Sequence, residues 1–421
     1  MDDTGTARPG TIRTTACVVG GGPAGMVLGL LLARGGVEVT VLEKHADFLR
    51  DFRGDTVHPP TLDLLDDLGL GPAFRALPHR LVEQVQVPYR GGALRVANLK
   101  ALRGPNNHIA MVPQWDLLDL LAGAAAEEPT FSLRRNTEAV GLRWSGRKVT
   151  GVDYRTADGG TGSVEADLVI ACDGRGSRLR AEAHLVPKSF TTPMDVWWFR
   201  VPRADSDPEG IVPVLSKRRA SVLIDRGDYW QVATLIAKGS DPVARTGPVT
   251  DLMRDMAATQ PWLADRLDAV GSWDEVKTLD VKLDRLTRWH VDGLLCLGDA
   301  AHAMSPAGGV GINLAVQDAI AAAAVLAGPL RAGTVSTSDL ARVRRRRLLP
   351  TVLVQTMQRV IHEKALRPAL AGEVDIAGSS KPPLPLRVIA RVPLLQWLPA
   401  QLVGRGVITE STPDFARRPP A

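Results

Sequence analysis

The stretch Thr14-Thr15-Ala16-Cys17-Val18-Val19-Gly20-Gly21-Gly22-Pro23-Ala24-Gly25 decides the fold. A short apolar run, the pattern of a buried strand, enters Gly20-x-Gly22-x-x-Gly25, and a helical run from Met26 to Arg34 follows until Gly35-Gly36 stop it. Val37 to Leu42, alternating and β-branched, predicts a second strand that ends at Glu43 and Lys44. Such a strand–helix–strand unit spans about 30 residues, the length of a parallel crossover. Glycines at this spacing let the chain turn tightly, let a pyrophosphate approach the backbone and let the helix pack close to the strand. Free amides at Gly22, Ala24 and Gly25, and the positive dipole end of a helix that Pro23 opens, attract phosphate. Glu43 is placed to accept hydrogen bonds from a ribose diol, so strand, helix, strand and acid together predict a dinucleotide site.

Outward from this unit, Thr61 to Leu68 reads as an amphipathic helix, and a second helix starts near Pro113. Strands are expected near Ser132–Leu133, Ala139–Trp144, Val149–Arg155 and Ala166–Cys172, the last delivering Asp173-Gly174. Between about 185 and 285 the character changes. Val196-Trp197-Trp198-Phe199-Arg200-Val201 gathers bulky residues, and Asp225-Arg226-Gly227-Asp228 reads as a hairpin turn between Val222–Ile224 and Tyr229–Ile236. An antiparallel sheet inserted into the first domain is the expectation. Leu294 to Leu297 is again a buried strand, delivering Gly298-Asp299, with a long helix from about Gly311.

The 421 residues, 45% hydrophobic and 23% charged, exclude a disordered chain or a disulfide-stapled miniprotein. A net charge of +5 suits an anionic ligand without selecting nucleic acid, which is not expected as a partner. The run Arg344-Arg345-Arg346-Arg347 reads as a solvated helix end. Cys17, Cys172 and Cys296 match no metal spacing and read as small core residues in a reducing compartment. The polar start shows no secretory signal, and the apolar runs Met26–Ala33 and Ala319–Leu330 fall short of the ~20 residues of a membrane span. A cytoplasmic monomer or homodimer with no transmembrane segment is expected.

The motif Gly298-Asp299-Ala300-Ala301-His302-Ala303-Met304-Ser305-Pro306, followed by Ala307-Gly308-Gly309-Val310-Gly311-Ile312-Asn313, is the most particular. A carboxylate at a strand end suits a polyol, and helix-start amides at Gly311, Ile312 and Asn313 suit negative charge on a ring edge. With these motifs in this order, the chain resembles the para-hydroxybenzoate hydroxylase family, the single-component FAD-dependent aromatic monooxygenases. The resemblance covers residues 14 to about 330, its central motif being Asp173-Gly174-Arg175-Gly176-Ser177-Arg178-Leu179-Arg180. It implies an α/β fold: a discontinuous Rossmann-like FAD-binding domain, an inserted mainly antiparallel substrate domain and a helical C-terminal region. The expected boundaries are 1–184 (with a small sheet insertion near 75–112), 185–285, 286–335 and 336–421.

By that resemblance FAD is the cofactor and NAD(P)H a transient reductant with no Rossmann domain of its own. Reduced flavin captures O₂ as a C4a-hydroperoxide and hydroxylates an aromatic or enolic small molecule. Asp173 serves FAD and NAD(P)H, Asp299 holds the ribityl chain, and Pro306 lies beside the flavin ring, near Gly308. Arg53 and Gln114 resemble family residues that contact FAD, and Val140 a backbone contact to adenine. The prototype's substrate-binding tyrosines and arginine have no counterpart, and Val310 is apolar where the prototype carries a lysine. The substrate-activating base is therefore unassigned, with His58 a weak candidate and His302 read as structural.

Strand alternation sets Trp198 and Arg200 on one face and Trp197, Phe199 and Val201 on the other, leaving open which face meets substrate. Trp198, Arg200, Trp230 and Pro306 are the pocket candidates. A dehydrogenase or reductase on the same fold, a halogenase (Trp197–Pro202 loosely resembles its WxWxIP strand) and a non-catalytic flavin binder are the alternatives. The segment Pro383–Val407 reads as a membrane-surface helix or, given Pro393 and Pro399, as packing over the catalytic domain.

Overall fold

β-Branched and apolar runs bounded by glycine become parallel strands when helices cover both faces of the sheet. The computed structural model, which describes residues 10–49, 56–89, 92–215, 219–373 and 384–419, forms such a sheet. Its parallel strands lie in the order Phe131–Arg134, Val39–Leu42, Thr11–Val19, Thr161–Ala171, Leu294–Cys296. The expected motif-bearing strands are all present, and the three cysteines are unpaired and lie on or just after them. Burial pushes the Cys17 thiol up to about 12.

Two boundaries differ from expectation. The second strand starts at Val39 because the Val37 N–H is drawn onto the Leu32 carbonyl at the end of the preceding helix (3.0 Å). The strand expected from Ala166 starts at Thr161, where its first half pairs antiparallel with Lys148–Thr156. On its other edge that half pairs in parallel with Thr11–Arg13, so the hairpin partner extends the parallel sheet at this end.

Helix Pro23–Arg34 is buried along nearly its whole length. Gly29 lets it sit close to the sheet: a Cβ there would lie 2.9 Å from Val41 and Phe131 side-chain carbons. Leu28, Leu30, Leu31 and Leu32 are fully enclosed, each worth about 1.5–3 kcal/mol of transfer free energy. Between this helix and the middle of the chain, short strands at Thr56–Val57, Arg80–Val82 and Ile109–Met111 form a small sheet, with a hairpin of Gln84–Tyr89 and Gly92–Asn98 beside it.

The middle of the chain forms an antiparallel sheet in the order Ile211–Leu215, Ala220–Asp225, Tyr229–Ala237, Met194–Pro202, Lys277–Leu279. Trp197, Phe199, Val201, Trp230 and Val232 pack against Leu252, Met253 and Met256 of helix Thr250–Ala257. The opposite face presents Val196, Trp198, Ala233 and Leu235, with Leu279 and Val281. Trp230, expected as a pocket candidate, is therefore core: it is fully buried, 5.5 Å from the Trp262 ring, and its Nε1 donates to Asp207 Oδ2 (2.9 Å).

Helix Gly311–Arg331 is long and apolar enough to cross a membrane by length and composition, contrary to the reading of uninterrupted apolar runs. Buried Asn313, Gln317 and Asp318 interrupt the run without interrupting the helix, and 78% of its apolar window lies inside the protein. Helix Thr337–Ile361 follows, then a π-turn at His362–Leu366 and short helices at Arg367–Ala371, Leu384–Arg391 and Pro393–Ala400. The expected break at Pro393 is present, whereas Pro399 lies inside the helix Pro393–Ala400 and does not break it.

The arginine run is not wholly a solvated face. Arg347 is 1% exposed, its Nε donating to Asp318 Oδ1 (2.9 Å) and its Nη1 to Glu410 Oε1 (3.3 Å). Arg347→Ala would take the partner from Asp318 Oδ1 and Glu410 Oε1 in the interior, so a loss of about 3–5 kcal/mol in unfolding free energy is expected. Urea denaturation monitored by circular dichroism measures it, and a loss under about 1 kcal/mol would contradict this burial.

Candidate active site

The glycine loop sits where the central strand ends. Gly20 has φ +107°, and a Cβ there would lie 2.4 Å from the Cys172 carbonyl oxygen, so only glycine passes between the two strand ends. Gly22 has an ordinary extended conformation, and a Cβ there would meet nothing within 4 Å. Space rather than backbone conformation distinguishes it, in front of the amides that open helix Pro23–Arg34. Glu43 is buried and holds the loop: Oε2 accepts the Gly21 N–H (2.8 Å) and Oε1 the His45 N–H (3.0 Å). Lys44 beside it is exposed.

Asp173 and Asp299 leave neighbouring strands, Thr161–Ala171 and Leu294–Cys296, at the same end of the sheet. Asp173 Oδ2 accepts the Leu179 N–H (3.3 Å), while its buried Oδ1 has no partner. Burial raises the Asp173 carboxyl above the ordinary range, opposed by hydrogen bonds from Ser177 and Leu179. Arg175 bridges the two loops, Nη2 to Asp299 Oδ2 (3.2 Å), and its Nη1 is also buried without a partner. Arg180 fastens the same loops from behind, donating to the Ala300 and Arg175 carbonyls (3.2 and 2.8 Å). A buried acceptor, a buried donor and an open glycine cradle around one loop cluster fit a polar dinucleotide.

The Pro306 loop is held by side chains that sequence reasoning missed. Gln358 Nε2 donates to the Ser305 and Ala307 carbonyls (2.8 and 2.9 Å), and its Oε1 accepts the Ser305 N–H (3.2 Å). Gln355 Nε2 donates to the Asp284 carbonyl (2.7 Å), and His362 Nε2 lies 2.9 Å from Ser305 Oγ. Arg347, Thr351, Gln355, Gln358 and His362 are all buried and recur at spacings of four, four, three and four. That polar stripe at helical period is a signal the sequence did contain. Past the loop, Gly311 and Ile312 open the long helix half-buried, and buried Asn313 accepts from Thr61 Oγ1 (3.2 Å). Pro306 is half-buried and Gly308 exposed.

His58 does not have the geometry of a base open to substrate. It is fully buried, with Nε2 3.0 Å from the Gly309 carbonyl and Nδ1 2.8 Å from the Val403 carbonyl. Both nitrogens face acceptors, so the ring joins the Pro306–Val310 loop to the segment at 403. His302 is structural: Nε2 meets Asp318 Oδ2 at 2.5 Å and the ring stacks 4.9 Å from Trp289.

Gln114 is half-buried at the first position of helix Gln114–Ala126. The Val140 carbonyl, expected near adenine, accepts from Arg178 Nη1 (3.2 Å). Arg53 lies outside the described residues. Trp198 is half-buried and Arg200 exposed on the face opposite the helix-covered core, Arg200 lying 4.5 Å over the Tyr229 ring.

Residues 13–356 match the FAD binding domain family. The chain is 34% identical over 358 residues to a 6-methylpretetramide 4-monooxygenase of Streptomyces rimosus, covering 82% of this chain and 84% of the relative. It is 26% identical over 337 residues to a p-hydroxybenzoate hydroxylase of Acinetobacter baylyi, covering 73% and 76% of the two chains. A solved anhydrotetracycline hydroxylase from Streptomyces rimosus shares the fold, with TM-score 0.70 at 22% identity over 94% of this chain and 76% of that one. This chain belongs to the FAD binding domain family. It is an FAD-dependent monooxygenase, and NAD(P)H is the reductant typical of the family.

Two outcomes test the geometry. Gly22→Val is expected to fold, because nothing in the protein opposes the side chain, yet to take up no FAD. Circular dichroism with FAD titration separates the two, and tight FAD binding by the variant would contradict the cradle. Burial lowers the His58 pKa from 6.5, despite the two carbonyls, so the unfolded chain binds the proton more readily. This contribution is complete above pH 6.5 and fades as pH falls below it. The melting temperature of the wild type should drop more steeply from pH 7 to about 5.5 than that of His58→Gln, and parallel slopes would refute this account.

Proposed function

We propose that this monooxygenase hydroxylates a polycyclic aromatic or enolic substrate of the aromatic-polyketide kind. The observation that carries the proposal is the 34% identity, across 84% of its length, to the relative whose name specifies 6-methylpretetramide. The apolar, tryptophan-bearing face of the middle sheet supports it, since a fused-ring ligand needs such a wall.

The redox chemistry is that of bound FAD, which accepts two electrons from NAD(P)H and activates O₂ for transfer of one oxygen atom. The chain's own residues bind and shield. In this reading Gly20, Gly22, Pro23, Ala24 and Gly25 hold the pyrophosphate, and Glu43 the adenosine ribose. Asp299 accepts from ribityl hydroxyls, with Asp173, Gln114, Val140 and Arg53 completing the cofactor contacts. The amides of Gly311, Ile312 and Asn313, at the positive end of the long helix, stabilise negative charge on the flavin's pyrimidine edge. Pro306 and Gly308 would hold the ring, and Trp198 and Arg200 would meet the substrate. The sheet excludes water, which would otherwise divert activated oxygen to free peroxide. The domain division follows the same reading: 1–184 and 286–335 bind FAD, 185–285 covers the substrate and 336–421 braces the assembly. The ribbon of Pro187–Phe190 and Leu283–Leu286 supports boundaries near 185 and 285.

The purified protein should be yellow with FAD, and Asp299→Ala should lose flavin while remaining folded. Retention of flavin by that variant would remove Asp299 from its role. With a polycyclic phenol, aerobic NAD(P)H oxidation should accelerate and the product should gain one atom from ¹⁸O₂. A label arriving from water would point to a different reaction class.

A further inference from the structure

Buried tryptophan N–H groups in this protein find acceptors. Trp197 donates to Asp241 Oδ1 (2.6 Å), Trp230 to Asp207 Oδ2 (2.9 Å) and Trp289 to the Leu286 carbonyl (3.2 Å). Trp198 differs: its Nε1 is buried and has no partner. On the adjacent strand Gln231 is 1% exposed, its Oε1 accepts from Arg226 Nε (2.9 Å), and its Nε2 has no partner. The arginine donor settles which end of the amide is oxygen, leaving the NH₂ group pointing away from it.

The register places both groups together. Trp198 pairs with Ala233, and Gln231 lies two residues before Ala233, on the same face. The two side chains are diagonal neighbours across an antiparallel ladder, roughly 7–8 Å apart. Between and beside them the face is apolar: Val196, Ala233 and Leu235. Helix Thr250–Ala257 closes the other face. On its Leu279–Val281 side the chain runs into Leu283, which packs on Met304 and Val310 of the Pro306 loop segment. On the hairpin side, Arg226 acts on the carboxyl of Asp116, in the first turn of the helix that Gln114 opens.

Two unpartnered donors on one apolar face are costly to bury unless a ligand completes them. We propose that Trp198 Nε1 and Gln231 Nε2 determine specificity by donating to two oxygens on one edge of the substrate, a fused-ring ketone or enolate. Both donors are uncharged, which suits carbonyl and enolate oxygens and a ring system that carries its acceptors on its own framework. The assignment rests on the polycyclic substrate reading above.

The test compares 1,8-dihydroxyanthraquinone with anthracene, which carries no oxygen. Binding to the FAD-loaded enzyme is read from the flavin difference spectrum. Trp198→Phe keeps an aromatic ring without the donor, and Gln231→Glu keeps the acceptor for Arg226 without the donor. Each should weaken the quinone about tenfold, the scale of one neutral hydrogen bond, and leave the anthracene and the FAD content unchanged. Equal quinone affinity in wild type and variants would overturn the donor assignment while the substrate reading stands. Equal weakening of both ligands would show that the side chains only shape the wall, again overturning it. Failure of the wild type to bind either tricycle would overturn the polycyclic reading, and this assignment with it.

Discussion

The buried carboxylate of Asp318 is the point on which the architecture turns. It accepts the Gly298 N–H (3.2 Å), His302 Nε2 (2.5 Å) and Arg347 Nε (2.9 Å), joining the turn after the last parallel strand, the long core helix and the helix after it. Burial alone would raise its pKa, but His302 and Arg347 outweigh that and hold the carboxyl below the ordinary range. A charge in this position is tolerable only because every neighbour is matched to it. Arg347 then passes the constraint on to Glu410, which also pairs with Arg346 (2.6 Å).

From Arg347 the same helix continues as a line of neutral hydrogen-bonding groups, and these do for the Pro306 loop what a sheet does for a strand. A loop lying close to a cofactor cannot be part of a ladder, and its amides and carbonyls still need partners. Gln358 supplies them to Ser305 and Ala307, while Gln355 holds the neighbouring Asp284 carbonyl. The loop is thus shaped by the protein before any ligand arrives, which is how a binding site keeps its geometry without reorganising. On the opposite wall the logic is inverted: Trp198 and Gln231 are left with donors unspent.

Much of this was legible in the sequence, and the parts that were not share a cause. Gly20 to Gly25, Glu43, Asp173 and Asp299 were readable because each lies within a few residues of its structural context: strand, turn, helix. Trp197 and Trp198 could be assigned to opposite faces from alternation alone. Which face looks inward depended on helix Thr250–Ala257, some fifty residues away, whose docking leaves no local mark. Arg347 was hidden by its neighbours, since four consecutive arginines on a helix point in different directions and one of them must face the core. Trp230 misled because an aromatic on a strand reads identically whether it meets a helix or a ligand. His58 looked available because a sequence does not show that two carbonyls, from Gly309 and Val403, will occupy both ring nitrogens.

The contacts that close the site are distributed very unevenly in time as the chain is synthesised. Glycine loop, first helix and second strand can assemble early from local contacts. Yet Arg34, at the end of that first helix, donates to the carbonyl of Ala416, 382 residues later, and Arg347, the cation beside Asp318, is itself held by Glu410. Contacts of such high sequence separation form late and slowly. A nascent chain lacking residues 403 to 416 has its phosphate cradle but not the Val403 carbonyl for His58 or the carboxylate for Arg347. The pocket therefore reaches its full shape only once residues 403 to 416 have docked.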